Sequence, residues 1–309
     1  MTETPHRSPA LVYGSIGVVM LIWALNYIAT KTVLREMDAL TLASFRITLA
    51  AAIMTPIFLL STHKREVERA DALKFTQLSL LGVVMNQMFF TTGLSMTTVS
   101  HSALLVGLGP IYVLLLAWFK GLESLVPQKI VGMLLAFAGV AVLGTEHGFN
   151  LKSGTLAGDL LTMCGSLAFS FYVVMAKQVA RRYNSIEINF YLYLAAAALI
   201  VPVTMRQGAL LDWGAVSWRA WVALGYTAAF ASVAAYLIYF WALKHVTASR
   251  IAAFSYLLPV MATSFGILLL GERPSVHLYV GGALVLSGVY LAETAAAGDK
   301  MEEQEKQTV

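Results

Sequence analysis

The sequence predicts an all-α integral membrane protein, with ten transmembrane helices arranged as two inverted five-helix repeats. Three observations carry that expectation. Hydrophobic residues make up 58% of the 309-residue chain and charged residues 12%, about half the charged share of an ordinary soluble domain. The intervals free of Asp, Glu, Lys and Arg have membrane-crossing length. Prolines and glycines of the first half recur in the second at a nearly constant offset.

A transmembrane helix needs about 17 to 25 apolar residues. The charge-free intervals are 8–30, 47–63, 75–119, 130–145, 160–176, 188–205, 220–243, 251–271 and 274–292. The third is too long for one crossing and is divided by the polar string Thr91, Thr92, Gly93, Ser95, Thr97, Thr98, which brings the count to ten. The shortest, 130–145, must extend past Lys129, whose stem can snorkel to the interface. Interval 8–30 exceeds the roughly 7 to 15 apolar residues of a removable signal peptide and reads as the first span.

With the N-terminus placed in the cytoplasm, the inner segments hold 13 Lys and Arg and the outer ones 6. Both termini are therefore expected in the cytoplasm, with residues 1–9 and 295–309 as tails on a multi-pass protein of the cell's inner (plasma) membrane. The last stretch, "DKMEEQEKQTV", is too polar and short to bury a core and reads as solvated and disordered. The net charge of +4 is spread over short loops and forms no patch, which argues against a nucleic-acid partner. Cys164 is the sole cysteine, so neither an intrachain disulfide nor a cysteine metal cluster can form. No cofactor and no metal is implied.

Pro56 and Pro202 differ by 146, Pro110 and Pro259 by 149, and Pro127 and Pro274 by 147. A shift of 149 also pairs Ser100 with Ser249, Ala103 with Ala252, Leu108 with Leu257, Glu123 with Glu272, Gly132 with Gly281 and Gly139 with Gly288. The chain reads as an internal duplication, 10–145 and 157–294. Five spans begin and end on opposite sides, so the second copy enters the membrane upside down. "VSHSALLVGLGP" (Val99–Pro110) and "ASRIAAFSYLLP" (Ala248–Pro259) weaken spans 4 and 9 at equivalent places. Such paired interruptions point to a secondary transporter with its site between the halves, and make Pro110 and Pro259 hinge candidates. Packing kinks are the other reading of those prolines.

These residues resemble the drug/metabolite transporter superfamily, specifically its EamA-type permeases. The second half reads "GERPSVHLYVGGALVLSGVYL" (Gly271–Leu291), with Glu272, Gly281 and Gly288; the first reads "GLESLVPQKIVGMLLAFAGVAVL" (Gly121–Leu143), with Glu123, Gly132 and Gly139. Spacing is nine then seven in both, although Leu122 interrupts the usual Gly-Glu pair of the first copy. "WALNYIATK" (Trp23–Lys31) looks like the family's Trp-small start, and "FSFYVVMAK" (Phe169–Lys177) is its counterpart, with Phe169 where Trp is common. The likeness runs from about Leu11 to Leu291 and implies ten helices, two EamA repeats and a central cavity lined by spans 1, 3, 4, 6, 8 and 9. It implies a transporter and leaves the cargo open, since members export amino acids, drugs and other metabolites.

Helical spacing selects faces within those spans. Trp23, Asn26, Tyr27 and Thr30 share a side of span 1. Gln87 and Phe90 of span 3 correspond to Tyr236 and Tyr239 of span 8; Phe169 and Tyr172 form a face of span 6, and Ser255 and Tyr256 precede Pro259. All of these except Tyr27 and Thr30 are substrate-binding candidates, with aromatic packing in the bundle as the structural alternative. His101 and Arg250 are equivalent positions and gate candidates.

Arg46, with Tyr191 as its repeat counterpart, is expected to serve structure, binding backbone carbonyls or snorkelling inward. Glu123 and Glu272 are expected to complement the dipoles of spans 5 and 10. Asp159 and Glu187 stand at span edges, so no midplane carboxylate offers itself for proton coupling, and His101 is the residual candidate.

The cargo these residues suit is a small amphipathic organic molecule, and the expected partners are that solute and the lipid bilayer, with the chain a monomer or weak homodimer. A membrane-embedded enzyme is the competing class. Neighbouring Ser and His in "SHS" (Ser100–Ser102) do not face one another on a helix, and H-E-x-x-H and G-x-S-x-G are missing from the sequence, so enzymatic function is not expected. A solute receptor without transport is the third reading.

Overall fold

The computed structural model describes residues 9–62, 67–119, 126–145, 154–180, 182–242 and 257–307, and among them there are helices and no strands. In chain order they form α1 (Pro9–Val33), α2 (Ala39–Leu60) and α3, which runs Arg69–Ser79, a π-helical stretch Leu80–Met85 and Asn86–Met96. Then come α4 (Val99–Val106 and Gly109–Phe119), α5 (Pro127–Thr145), α6 (Gly154–Ala180) and α7 (Ser185–Leu210). Helix α8 comprises Trp218–Tyr226, a π-helical stretch Thr227–Ala234 and Ala235–Ala242, followed by α9 (Leu257–Leu270) and α10 (Val276–Gln307).

Seven of these helices are long and apolar enough to cross a membrane, and the apolar parts of α5, α9 and α10 are shorter. Leu60, Leu73, Leu134, Met205, Val222 and Leu268 stand exposed on the bundle surface, where hydrocarbon rather than water suits them.

The polar string ends α3 at Met96, and the Thr98 side chain accepts from the His101 amide to start α4. Pro110 falls in the first turn of the second α4 segment, after a break at Gly107 and Leu108, where its missing N–H leaves no bond unmade. A Cβ on Gly107 would stand 3.5 Å from Pro259 Cγ, so the interruption of α4 rests against its repeat equivalent on α9. The chain preceding α9, which contains Ser255, Tyr256 and Arg250, lies outside the described residues, as does Glu123.

Three expectations need correction. The C-terminal stretch is helical to Gln307, because its Ala, Glu, Lys and Gln residues are strong helix formers that continue a helix already begun. Lys129 lies inside α5 and is only 1% exposed, so its ammonium does not snorkel outward. The carboxylate of Glu272 caps α4 rather than α10: its Oε1 accepts from the Val99 amide at 2.6 Å, and its Oε2 accepts from the Ser100 amide at 3.1 Å and the Ser100 hydroxyl at 2.6 Å. The turn between α9 and α10, with Gly271 at φ 71°, carries that carboxylate back over the start of α4. A left-handed residue favours glycine there.

Packing follows the duplication. Helix α1 packs on α8 and α9, and α6 packs on α3 and α4; α2 packs on α8, and α7 packs on α3. Each pair becomes the other when five is added to or subtracted from the helix numbers. Helices α2 and α7, α4 and α9, and α5 and α10 pack on their own equivalents.

The α5–α10 crossing shows the relation at atomic scale. A Cβ on Gly132 would meet Gly288 O at 2.6 Å, and one on Gly139 would meet Gly281 O at 2.6 Å. Since Gly132 corresponds to Gly281 and Gly139 to Gly288, the two contacts exchange under the repeat. They place the helices antiparallel about an approximate twofold axis. Seven-residue spacing keeps both glycines of each helix on one stripe, and the missing side chains let the backbones touch.

Loops repeat the pattern. The Glu36 carboxylate, between α1 and α2, accepts from the Ser217 amide at 2.6 Å and hydroxyl at 2.7 Å at the start of α8. At the corresponding place Arg182 and Tyr183, between α6 and α7, donate to Asp71 at the start of α3, at 2.7 and 3.1 Å. Bonds from the Ser217 amide and then its hydroxyl hold the exposed Glu36 carboxyl below its ordinary value of 4.5. The unfolded chain therefore takes up that proton more readily, so the tie contributes fully above the ordinary value and is lost as pH falls through the depressed one. Glu36→Gln is expected to flatten the acid side of the melting temperature profile of detergent-solubilised protein; superimposable profiles would refute this.

Candidate functional site

Where the halves meet, the aromatic candidates gather into one cluster. The Trp23 ring lies 5.5 Å from both Tyr236 and Tyr239, and Phe169 lies 5.5 Å from Tyr172 and 6.5 Å from Tyr236. Trp23 Nε1 donates to Ala231 O at 3.2 Å, inside the π-helical stretch of α8. Tyr172 presses on Gly82, inside that of α3, where a Cβ would meet Tyr172 Cβ at 2.9 Å. Gly82 and Ala231 are 149 apart, as are Trp23 and Tyr172. By contact, Tyr172 rather than Phe169 holds the place of Trp23 in the second half.

The two π stretches also occupy equivalent positions. Their i→i+5 bonding widens the helix by one residue, and a carbonyl within the second stretch receives the Trp23 indole.

Polar groups adjoin the rings. Gln87 Nε2 donates to the Tyr193 hydroxyl at 3.0 Å, while Gln87 Oε1, Asn26 Oδ1 and the Tyr172 hydroxyl are buried with no hydrogen-bond partner. Asn189 Nδ2 donates to Val233 O at 3.3 Å. Arg46 is 5% exposed, and its Nε donates to Ser232 Oγ at 2.8 Å. Among the described residues it bonds to no backbone carbonyl, and it is buried rather than snorkelling, which departs from the two contacts expected of it.

Tyr193, Asn189 and Ser232 were not singled out from the sequence; Tyr193 and Asn189 bring α7, and Arg46 brings α2, to a site expected from six other helices. The available signal was Arg46 itself, since a charge within a span needs neighbours.

Phe90 packs edge-to-face on Tyr27 at 5.1 Å. The cluster thus takes in Trp23, Gln87, Phe169, Tyr172, Tyr236 and Tyr239, with Asn26, Tyr27 and Phe90 on the neighbouring turns of α1 and α3. His101 stands apart: its Nδ1 lies 3.1 Å from Asp159 Oδ2, and Asp159 Oδ1 accepts from Thr97 Oγ1 at 2.5 Å. Lys31 Nζ donates to Thr97 O at 2.6 Å. Together with Glu272, these bonds tie both halves at one end of the bundle. Asp159, expected at a span edge, is buried in this knot. Glu187 completes a capping box with Asn184 at the start of α7.

The EamA-like transporter family matches residues 12–145 and again 156–294. The chain belongs to that family. EamA relatives include an uncharacterized transporter of Archaeoglobus fulgidus, 26% identical over 89% of this chain and 95% of its own. Another is the uncharacterized transporter YyaM of Bacillus subtilis, 26% identical over 81% of this chain and 83% of its own. A chloroplastic WAT1-related protein of Arabidopsis thaliana is 25% identical over 95% of this chain and 74% of its own. A solved crystal structure superposes with a TM-score of 0.65 at 20% identity, covering 94% of this chain and 99% of the other, a likeness of fold. The chain is thus a multi-pass membrane protein of a transporter family, as the glutamate and glycine spacing implied.

Proposed function

We propose that this protein is a secondary transporter that exports small amphipathic organic solutes by alternating access. Residues 10–145 and 157–294 act as two inverted five-helix halves, each crossing the membrane five times, with both termini cytoplasmic in the plasma membrane. What supports the reading above all is the twofold exchange of contacts between the halves, with an aromatic and polar cluster on the shared seam. Inverted repeats of this kind carry their sites at the repeat interface.

In this reading the aromatic faces of Trp23, Tyr236 and Phe169 receive the apolar body of the solute, and Asn26, Gln87 and Tyr172 supply hydrogen bonds to its polar end. The interruptions at Gly107, Pro110 and Pro259 let α4 and α9 bend where they touch. The bonds among His101, Asp159, Thr97, Lys31 and Glu272 close one end and must open in the cycle.

Efflux from proteoliposomes preloaded with a mixture of amino acids, nucleosides and cationic dyes tests this. Wild type is expected to release one chemical class, and Trp23→Ala and Tyr236→Ala to reduce that release at least tenfold at normal folded yield. Retention of every solute by well-folded protein in both orientations would overturn the reading and favour a receptor.

A further inference from the structure

Arg46 is a costly group to bury. It lies within α2, inside an apolar helix long enough to cross a membrane, and a guanidinium stays charged at any physiological pH. Among the described residues no carboxylate pairs with it: the ion pairs found join Lys74, Arg182 and His101 to acidic partners nearer the helix ends. Among the described residues its one hydrogen bond runs from Nε to Ser232 Oγ, and the two terminal nitrogens bond to none of them.

A buried cation without a counter-charge is strongly unfavourable, and Tyr193 and Tyr236 beside it compensate with dipoles rather than with charge. Arg46 is therefore half of an ion pair whose other half the described residues do not supply.

The surroundings fit an anionic solute. Ser232 belongs to the π-helical stretch of α8 and also donates to Thr227 O at 3.0 Å, which fixes the Nε edge of the guanidinium and leaves the two terminal nitrogens to bind a carboxylate bidentately. From Arg46 the polar chain continues through Ser232 and Tyr193 to Gln87. Gln87 ends on the unpartnered Oε1, an acceptor suited to an N–H or O–H beside the carboxylate. The aromatic cluster adjoins the same residues, since Tyr193 and Tyr172 both neighbour Tyr236.

We infer that Arg46 anchors the carboxylate of the transported solute, so that the cargo is an organic carboxylate with an apolar or aromatic body. The inference rests on the transporter reading above and deepens it by naming the charge of the cargo. Seated at the seam, the carboxylate joins α2, through Arg46, to the π stretch of α8, through Ser232. It thereby completes the interior electrostatics while the halves move around it.

Matched probes test the anchor on the full-length protein: 3-phenylpropionate against its amide, and L-phenylalanine against phenethylamine. Melting in detergent and efflux from liposomes are both measured. Both carboxylates are expected to stabilise wild type with at least tenfold higher apparent affinity than their uncharged or cationic partners. Arg46→Gln should abolish that preference and leave any response to the amide unchanged, and Arg46→Lys should restore part of it. If Arg46→Gln fails to fold, Arg46→Lys and Ser232→Ala, which loosens the guanidinium, read the same preference.

An equal response to acid and amide, or none to either, overturns the anchor. Efflux of dyes or amines without acid preference would then leave the transporter standing. Stabilisation by carboxylates, lost in Arg46→Gln but without any flux, would support the anchor and overturn the transporter reading.

Discussion

Gly288→Ala is expected to destabilise the protein by about 3 kcal/mol or more, a large share of the margin most folds possess. The new methyl would fall on the Ala136 amide, 2.5 Å from Gly132 O and 2.9 Å from Ala136 Cα. These are backbone atoms of a facing helix and cannot turn aside as a side chain would, so α5 and α10 must separate along their whole seam. Gly139→Ala should behave alike, meeting Gly281 O at 2.6 Å and Val285 N at 2.7 Å. Gly14→Ala and Gly225→Ala are the controls: at both, a Cβ meets nothing within 4 Å, and replacing helical glycine by alanine should be neutral or slightly stabilising. Melting temperatures of the four variants in one detergent decide the matter. A melting temperature for Gly288→Ala within a degree of Gly14→Ala would show that the seam is not closely packed.

That contrast marks what the letters could reveal. The seven-residue glycine spacing and its repetition announced two equivalent stripes, and antiparallel contact between them follows once the copies are inverted. Thr98 and the serines and threonines before it likewise marked the boundary between α3 and α4, because short polar side chains cap helices.

The π-helical stretches were hidden, since "LLGVVM" and "TAAFASVA" carry no residue type that demands i→i+5 bonding. Shifting the sequence against itself paired Arg46 with Tyr191, yet its contacts are Ser232 and Tyr193. One lies on a helix distant in the chain, and the other is two residues from the repeat counterpart, on another face of the same helix. An offset reports which residues are equivalent, whereas burial of a charge is solved by whichever residues are near in space. Glu272 was misread for the same reason: a carboxylate before a helix usually serves that helix, and here the tight turn at Gly271 delivers it to another.

The Glu272 carboxylate also has a large expected effect. Glu272→Ala should cost about 2–3 kcal/mol, because it strips a charged acceptor from two backbone amides at the start of α4 and from the Ser100 hydroxyl. Gly266 supports the assignment: a Cβ there would strike Glu272 Oε2 at 2.7 Å, so α9 keeps a bare backbone where the carboxylate passes. Glu272→Gln keeps one oxygen acceptor and should retain roughly half of the stabilisation, whereas a residue serving only as a negative charge would make Gln and Ala equivalent. The bond joins the α9–α10 turn of one half to α4 of the other, and it shares its end of the bundle with the Lys31–Thr97–Asp159–His101 chain. Loosening it should therefore favour opening at that end. Labelling of a cysteine introduced at Ser102, which is buried at that end, in a Cys164→Ser background, should be faster in Glu272→Ala than in its parent at equal folded fraction. Faster labelling together with lost stability assigns Glu272 to closure; lost stability at unchanged labelling leaves it a helix cap alone.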